Sequence, residues 1–125
     1  MRSLDKARVL IVDDELDIRF PLTRILAFEG YEAEEAASGK AALTLLEQKR
    51  YDLMVLDMHM PGLSGVEVME YIHHHYPDWL VIVLTGQTTL ESTTAAIEID
   101  AVVNYLIKPA TTDEFVSAIH EALKK

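Results

Sequence analysis

With 125 residues, half of them hydrophobic, the chain is long enough to bury a core as one domain. It contains no cysteine, which excludes disulfides and thiolate metal sites, and its net charge of −10 argues against a nucleic-acid surface, which needs a basic stripe. No run approaches the roughly 18 apolar residues of a membrane span and no secretory leader is visible, so a single cytoplasmic domain over residues 1–125 is the expectation.

Strand-like apolar runs alternate with segments of helical period. The first run, 8–13, contains Val9-Leu10-Ile11-Val12 and ends in Asp13-Asp14-Glu15. Continuous hydrophobicity suits a strand covered on both faces. An amphipathic segment follows over 15–28, with Gly30 placed to stop it in a left-handed turn. Pro21 falls inside this segment, removing a donor and crowding the preceding turn, so a kink or a late helix start is expected. The second run, Tyr31-Glu32-Ala33-Glu34-Glu35-Ala36, is short and acidic and fits an edge strand. Segment 40–49 places Ala41, Ala42, Leu45 and Leu46 on one face behind a Ser38-Gly39 turn and cap.

The third run, Leu53-Met54-Val55-Leu56, delivers Asp57 and is followed by Met58-His59-Met60-Pro61-Gly62. Ser64-Gly65 introduces a helix over 65–75 that ends in His73-His74-His75. Consecutive helical residues point about 100° apart, so these three rings cannot converge on one ion, and a solvated helix end is expected. The fourth run, Leu80-Val81-Ile82-Val83-Leu84, ends in Thr85. Segment 89–99 has helical period but poor intrinsic propensity, because of Thr88, Thr89, Ser92, Thr93 and Thr94. The fifth run, 102–107, leads into Lys108-Pro109, and a last helix over 112–124 can be capped by Thr111 or Thr112. Five successive strand–helix units predict an α/β fold, a parallel five-stranded sheet covered by helices on both faces.

Sheets of this kind bind ligands outside the carboxyl ends of their strands. Asp13, Asp14 and Asp57 all stand at such ends, whereas Asp5 and Asp52 lack such company and read as turn residues. Like charges about 5 Å apart repel by roughly 3 kcal/mol per pair at an effective dielectric near 20, so the cluster takes up protons or binds a cation. Hard oxygen donors in an open geometry suit Mg²⁺. Thr85 and Lys108 reach the same rim. An acid nucleophile, a divalent cation, a hydroxyl and an ammonium together suit phosphoryl transfer.

The combined spacing Asp13-Asp14, Asp57-x-x-Met60-Pro61-Gly62, Gly65, Thr85-Gly86 and Tyr105-x-x-Lys108-Pro109 resembles the receiver domain of two-component response regulators over essentially the whole chain. The resemblance implies a flavodoxin-like, doubly wound (βα)5 sandwich. It further implies that Asp57 takes a phosphoryl group from a sensor histidine kinase or a phosphotransfer protein, catalysing only its own phosphorylation and dephosphorylation. Asp14, Asp57 and the backbone carbonyl of His59 would ligate Mg²⁺, with Asp13 acting mostly through water. Thr85 and Lys108 would bond the phosphoryl oxygens, Thr85 would couple to the Tyr105 ring, and the bond before Pro109 would be cis. The face built from 89–124 would then change its affinity for an output domain or a downstream protein; a homodimer is left open. Two readings stand for His59: it supplies its carbonyl alone, or its side chain tunes the phosphate lifetime together with Gln87. Asp100-Ala101 stands where receivers often carry Gly-Ala, which weakens the usual stop of the preceding helix.

Two readings from other classes compete. An aspartate-nucleophile phosphohydrolase of the haloacid-dehalogenase type also uses Mg²⁺, threonine and lysine, but that class usually places a second acid where this chain has His59. A flavodoxin-like cofactor binder would need phosphate-cradling amides after the first strand, where Asp13-Asp14-Glu15 repels phosphate.

Overall fold

Five parallel strands form one sheet in the order β2-β1-β3-β4-β5: β1 (Arg8–Val12), β2 (Glu32–Ala36), β3 (Leu53–Leu56), β4 (Leu80–Thr85) and β5 (Val102–Ile107). The computed structural model describes residues 7–58, 62, 65–76, 79–86, 102–108 and 110–124, and only the backbone of residues 66, 85 and 102–105. Among them the helices are α1 (Leu16–Phe28), α2 (Gly39–Gln48), α3 (Gly65–His75) and α4 (Thr112–Leu123). The helix expected over 89–99 lies outside the described residues.

Alternation along the central strands builds two cores. Leu10, Val12, Met54, Leu56, Val81 and Val83 face α2 and α3, packing with Leu46, Val68, Met69 and Ile72. Val9, Ile11, Leu53, Val55, Ile82 and Leu84 face the other way, onto Leu26 of α1 and Phe115, Ala118 and Ile119 of α4. Both faces are therefore covered, as the continuous apolar runs required. The acidic strand β2 does lie at the edge, and its three glutamates are each matched to a base: Glu32 to Arg8 at 3.3 Å, Glu34 to Lys49 at 2.9 Å and Glu35 to Arg19 at 2.8 Å.

Local signals set the helix ends. After α1 the chain turns at Gly30 (φ 93°), with Tyr31 N donating to Leu26 O at 2.9 Å and Gly30 N to Ala27 O at 3.1 Å. This is the paired closure of a Schellman motif. Ser38 caps α2 through Ala41 N, and Thr111, rather than Thr112, caps α4 in a reciprocal box with Glu114. The late start expected for α1 does not occur. The helix begins at Leu16 and runs through Pro21. The carbonyl that loses its usual donor is that of Asp17, an exposed first-turn residue that water can serve.

Asp52 is more than a turn residue: its Oδ2 accepts from Arg8 N at 2.7 Å and fixes the entry to β1. His73, His74 and His75 are exposed, and the His75 ring stacks on Tyr71 with centroids 4.0 Å apart. The solvated helix end stands.

Near the other end of the sheet, the buried Tyr51 hydroxyl donates to Glu34 Oε1 at 2.6 Å, and its ring meets Trp79 edge-on. Burial first, then this bond and the Glu34 charge, push the phenol well above its ordinary value of 10.0. A group whose folded-state pKa is raised contributes stability in full below the unfolded value and loses it as pH climbs past. Tyr51→Phe is expected to cost about 1 kcal/mol in urea unfolding near neutral pH, and to flatten the decline in stability above pH 10.

Candidate functional site

The two buried acids owe their proximity to the strand register. Val12 pairs with Leu56, and both ladders continue one residue further, with Asp57 N donating to Val12 O at 2.9 Å and Asp13 N to Ala36 O at 3.1 Å. The chain therefore leaves the sheet at Asp13 and Asp57 side by side, between β1 and β3, where the strand order reverses. That position is the switch-point crevice of an open α/β sheet. Asp13 and Asp57 are 2% and 4% exposed, while Asp14 is open to solvent at the mouth.

Carboxylate oxygens of Asp13, Asp14 and Asp57 all lie within 4.8 Å of one another. Lys108, one residue past β5, reaches into them: its Nζ is 2.7 Å from Asp13 Oδ2, 3.4 Å from Glu15 Oε1 and 3.6 Å from Asp57 Oδ2. Burial alone would lower the pKa of this ammonium. The Asp13 hydrogen bond and the charges of Asp57 and Asp13 override it, so the group is held above its ordinary value and stays cationic. Gly86 lies against the aliphatic stem, where even a Cβ would make only ordinary contact, 3.8 Å from Lys108 Cβ and Cδ.

The remaining Asp13 groups are also engaged. Oδ1 accepts from Glu15 N at 3.0 Å, and the backbone carbonyl accepts from Arg19 Nη1 at 2.8 Å. Neither Glu15 nor Arg19 was singled out by sequence pattern. A usable signal existed for Arg19: it is a base near the start of a helix, where the dipole disfavours one, so a local acceptor should hold it there.

The backbone puts Thr85 at the end of β4, paired with Ile107, and Tyr105 opposite Val83. Thr85 thus leaves the sheet at the same rim as Asp57 and Lys108. His59, Gln87 and Pro109 lie outside the described residues, as do the side chains of Thr85 and Tyr105.

Three clustered carboxylates of mixed burial, with one open to solvent, form a hard-oxygen donor set that fits Mg²⁺. No other group of three metal-ligating side chains occurs among the described residues.

The family model described as the response regulator receiver domain matches residues 9–120. The chain belongs to this family. It is a receiver domain of a two-component response regulator, a signalling switch rather than a conventional enzyme, and the phosphohydrolase reading finds no support. The response regulator MprA of Mycolicibacterium vanbaalenii is 35% identical over 118 residues, covering 94% of this chain and 51% of that protein. The receiver domain thus spans about half the length of the curated relatives it matches. Among solved structures, a CheY-like receiver domain protein from Methanospirillum hungatei superposes with a TM-score of 0.91 at 32% identity, covering 95% of this chain and 94% of that one. The response regulator TrrA of Thermotoga maritima, in complex with Mg²⁺-BeF, gives a TM-score of 0.84 at 36% identity, covering 94% and 99%. These neighbours share the flavodoxin-like sandwich that the family resemblance implies.

Proposed function

We propose that this receiver domain is a phosphorylation-controlled switch whose acceptor is Asp57. Its carboxylate attacks the phosphorus of a phosphohistidine on a sensor kinase or phosphotransfer protein. The P–N bond breaks as the acyl phosphate forms. The observation that carries this reading is the meeting of Asp57 with Asp13, Asp14 and the Lys108 ammonium in one crevice. Lys108 is already within 3.6 Å of Asp57 and so can turn from carboxylate to phosphoryl oxygen with little movement.

Mg²⁺ would be held by Asp14, Asp57 and the backbone carbonyl of His59, with Asp13 acting through water. The engagement of both Asp13 oxygens by Glu15 N and Lys108 supports that indirect role. A bound Mg²⁺ supplies charge neutralisation between the carboxylates and the phosphoryl oxygens. Thr85 would bond the phosphoryl group and draw Tyr105 with it, and the bond before Pro109 would be cis. His59 and Gln87 would set how readily water reaches the acyl phosphate. The same residues would catalyse the domain's own phosphorylation and dephosphorylation.

Partner docking follows two surfaces. Beside the crevice, Leu16 and Phe20 of α1 are 59% and 52% exposed, and a cavity of about 130 Å³ opens between α1, Lys108 and Phe115. This side suits the phosphodonor. The 89–124 face would pass the change to an output domain, a downstream protein or a second copy. A cytoplasmic place beside a kinase is part of the same proposal. Among the described residues no helix is long and apolar enough to cross a membrane.

Incubation with acetyl phosphate and Mg²⁺ is expected to add the mass of one phosphoryl group, labile to hydroxylamine, and only when Mg²⁺ is present. Folded protein that gains no mass under these conditions would overturn the switch reading.

A further inference from the structure

We infer that Arg19 is a positioning residue for the cation and phosphoryl site. Its guanidinium locks the peptide plane that joins Asp13 to Asp14 and thereby aims the Asp14 carboxylate into the crevice. This inference rests on the function proposed above.

The geometry is a two-point clamp. Arg19 Nη1 donates to the Asp13 carbonyl at 2.8 Å while Nε donates to Glu35 Oε1 at 2.8 Å. The side chain is only 13% exposed. The planar fork of arginine fixes both bonds in one orientation, which a lysine ammonium cannot reproduce. The clamp ties three elements together: α1 provides the arginine, β2 provides Glu35, and the loop after β1 provides the carbonyl.

The Asp13 carbonyl belongs to the same rigid amide plane as the Asp14 N–H. Rotation of that plane changes ψ of Asp13 and φ of Asp14 together and swings the Asp14 side chain. Asp13 itself is already held by its N–H on Ala36, by Lys108 and by Glu15 N. Asp14 is exposed, and the plane before it is what remains to be fixed. Arg19 fixes it.

Two explanations predict opposite signs. If Arg19 acted only as a positive charge near the crevice, its removal would tighten Mg²⁺ binding by removing cation–cation repulsion. If it positions Asp14, removal weakens Mg²⁺ binding, since supports of metal ligands typically cost about tenfold or more in affinity when lost.

The test measures Mg²⁺ affinity by calorimetry or NMR titration, alongside thermal unfolding, for wild type, Arg19→Ala and Arg19→Lys. Arg24→Ala serves as a control for loss of a charge on the exposed side of the same helix, where Arg24 lies over the Phe20 ring. Affinity for Mg²⁺ is expected to fall about tenfold in Arg19→Ala and to stay reduced in Arg19→Lys, with Arg24→Ala unchanged. Acetyl phosphate labelling is expected to need more Mg²⁺ for half-maximal rate, while the rate at saturating Mg²⁺ stays near wild type. Should Arg19→Ala fail to fold, Arg19→Lys, which keeps the stem and charge, carries the same comparison. Unchanged or tighter Mg²⁺ binding in the folded Arg19→Lys variant would overturn the inference, whatever the change in Tm, and so would a wild type that binds no Mg²⁺. Wild type that binds Mg²⁺ but takes no phosphoryl group would instead overturn the switch reading and leave the Mg²⁺ comparison decisive for Arg19.

Discussion

Replacing Asp57 with asparagine is expected to abolish phosphoryl uptake and, in the absence of metal, to raise the thermal stability of the domain. The second effect follows from the charge balance of the crevice. Among the described residues, Asp57 faces like charges on Asp13 and Asp14 within 4.8 Å and the opposite charge of Lys108 at 3.6 Å. At an effective dielectric near 20, each repulsion is about 3.5 kcal/mol and the attraction about 4.6, so among these three pairs repulsion exceeds attraction by roughly 2 kcal/mol. Asparagine has nearly the same shape, removes both kinds of interaction, and also removes the cost of holding a charge at a site that is 5% exposed. A gain of about 1–2 kcal/mol corresponds to a rise of several degrees in Tm for a domain of this size. Mg²⁺ should raise the Tm of wild type by mass action and that of Asp57→Asn much less. Thermal scans with and without Mg²⁺, and intact mass after acetyl phosphate, check the three statements together. A lower Tm for the metal-free variant would show that the Lys108 attraction outweighs the repulsion among acids.

That crevice was legible in the sequence because its residues obey a simple rule: apolar runs that need cover on both faces become parallel strands, and whatever follows each run emerges at one rim. Val9–Val12 and Leu53–Leu56 are buried throughout, so Asp13 and Asp57 had to meet once these strands were neighbours. Pairing order is a different matter. Nothing in the strand residues themselves says that β1 lies between β2 and β3, and the acidic character of β2 alone hinted that it took the edge. The supports of the site were not legible either. Arg19 reaches Asp13 across a helix start, and its second acceptor, Glu35, is 16 residues away on another strand. Contacts of that kind depend on tertiary placement, which no periodicity encodes. The bond from Tyr31 to His120, which ties the start of β2 to α4 across 89 residues, is of the same type. Pro21 shows the reverse case for the helix boundary: a local rule allowed a late start, whereas α1 begins at Leu16 and runs through Pro21, with Leu22 and Leu26 packed against the sheet.

Gly65→Ala is expected to damage both the fold and the phosphoryl site, although the substitution adds a single methyl group and suits a helix. Gly65 is the first residue of α3 and reads in the sequence as a cap or turn glycine. The structure assigns it a different task. Its backbone does not adopt a positive φ, unlike that of Gly30 and Gly62. Space is the constraint: a Cβ at this position would lie 2.5 Å from the Asp57 carbonyl oxygen and 2.5 Å from Met58 Cα. Both are backbone atoms, so no side-chain rotation relieves the clash. Either the start of α3 moves away, breaking the 3.3 Å bond from Gly65 N to Met58 O, or the segment after β3 is pushed toward the crevice. The second route displaces Asp57 itself. Overpacking of this kind costs about 1–3 kcal/mol, against which the better helix propensity of alanine returns about 1 kcal/mol at most in a helix interior and less at its first residue. Net destabilisation of about 1–2 kcal/mol should lower Tm by several degrees. Mg²⁺ affinity should fall in parallel, because Asp57 shifts relative to Asp13 and Asp14. Gly30→Ala provides the comparison: it meets no atom within 4 Å, is strained only through its φ of 93°, and lies at the far end of α1 from the acids. It is expected to lower Tm while leaving Mg²⁺ affinity and acetyl phosphate labelling intact. If Gly65→Ala behaved in the same way, losing stability with an unaltered Mg²⁺ titration, the close approach of α3 would serve folding alone.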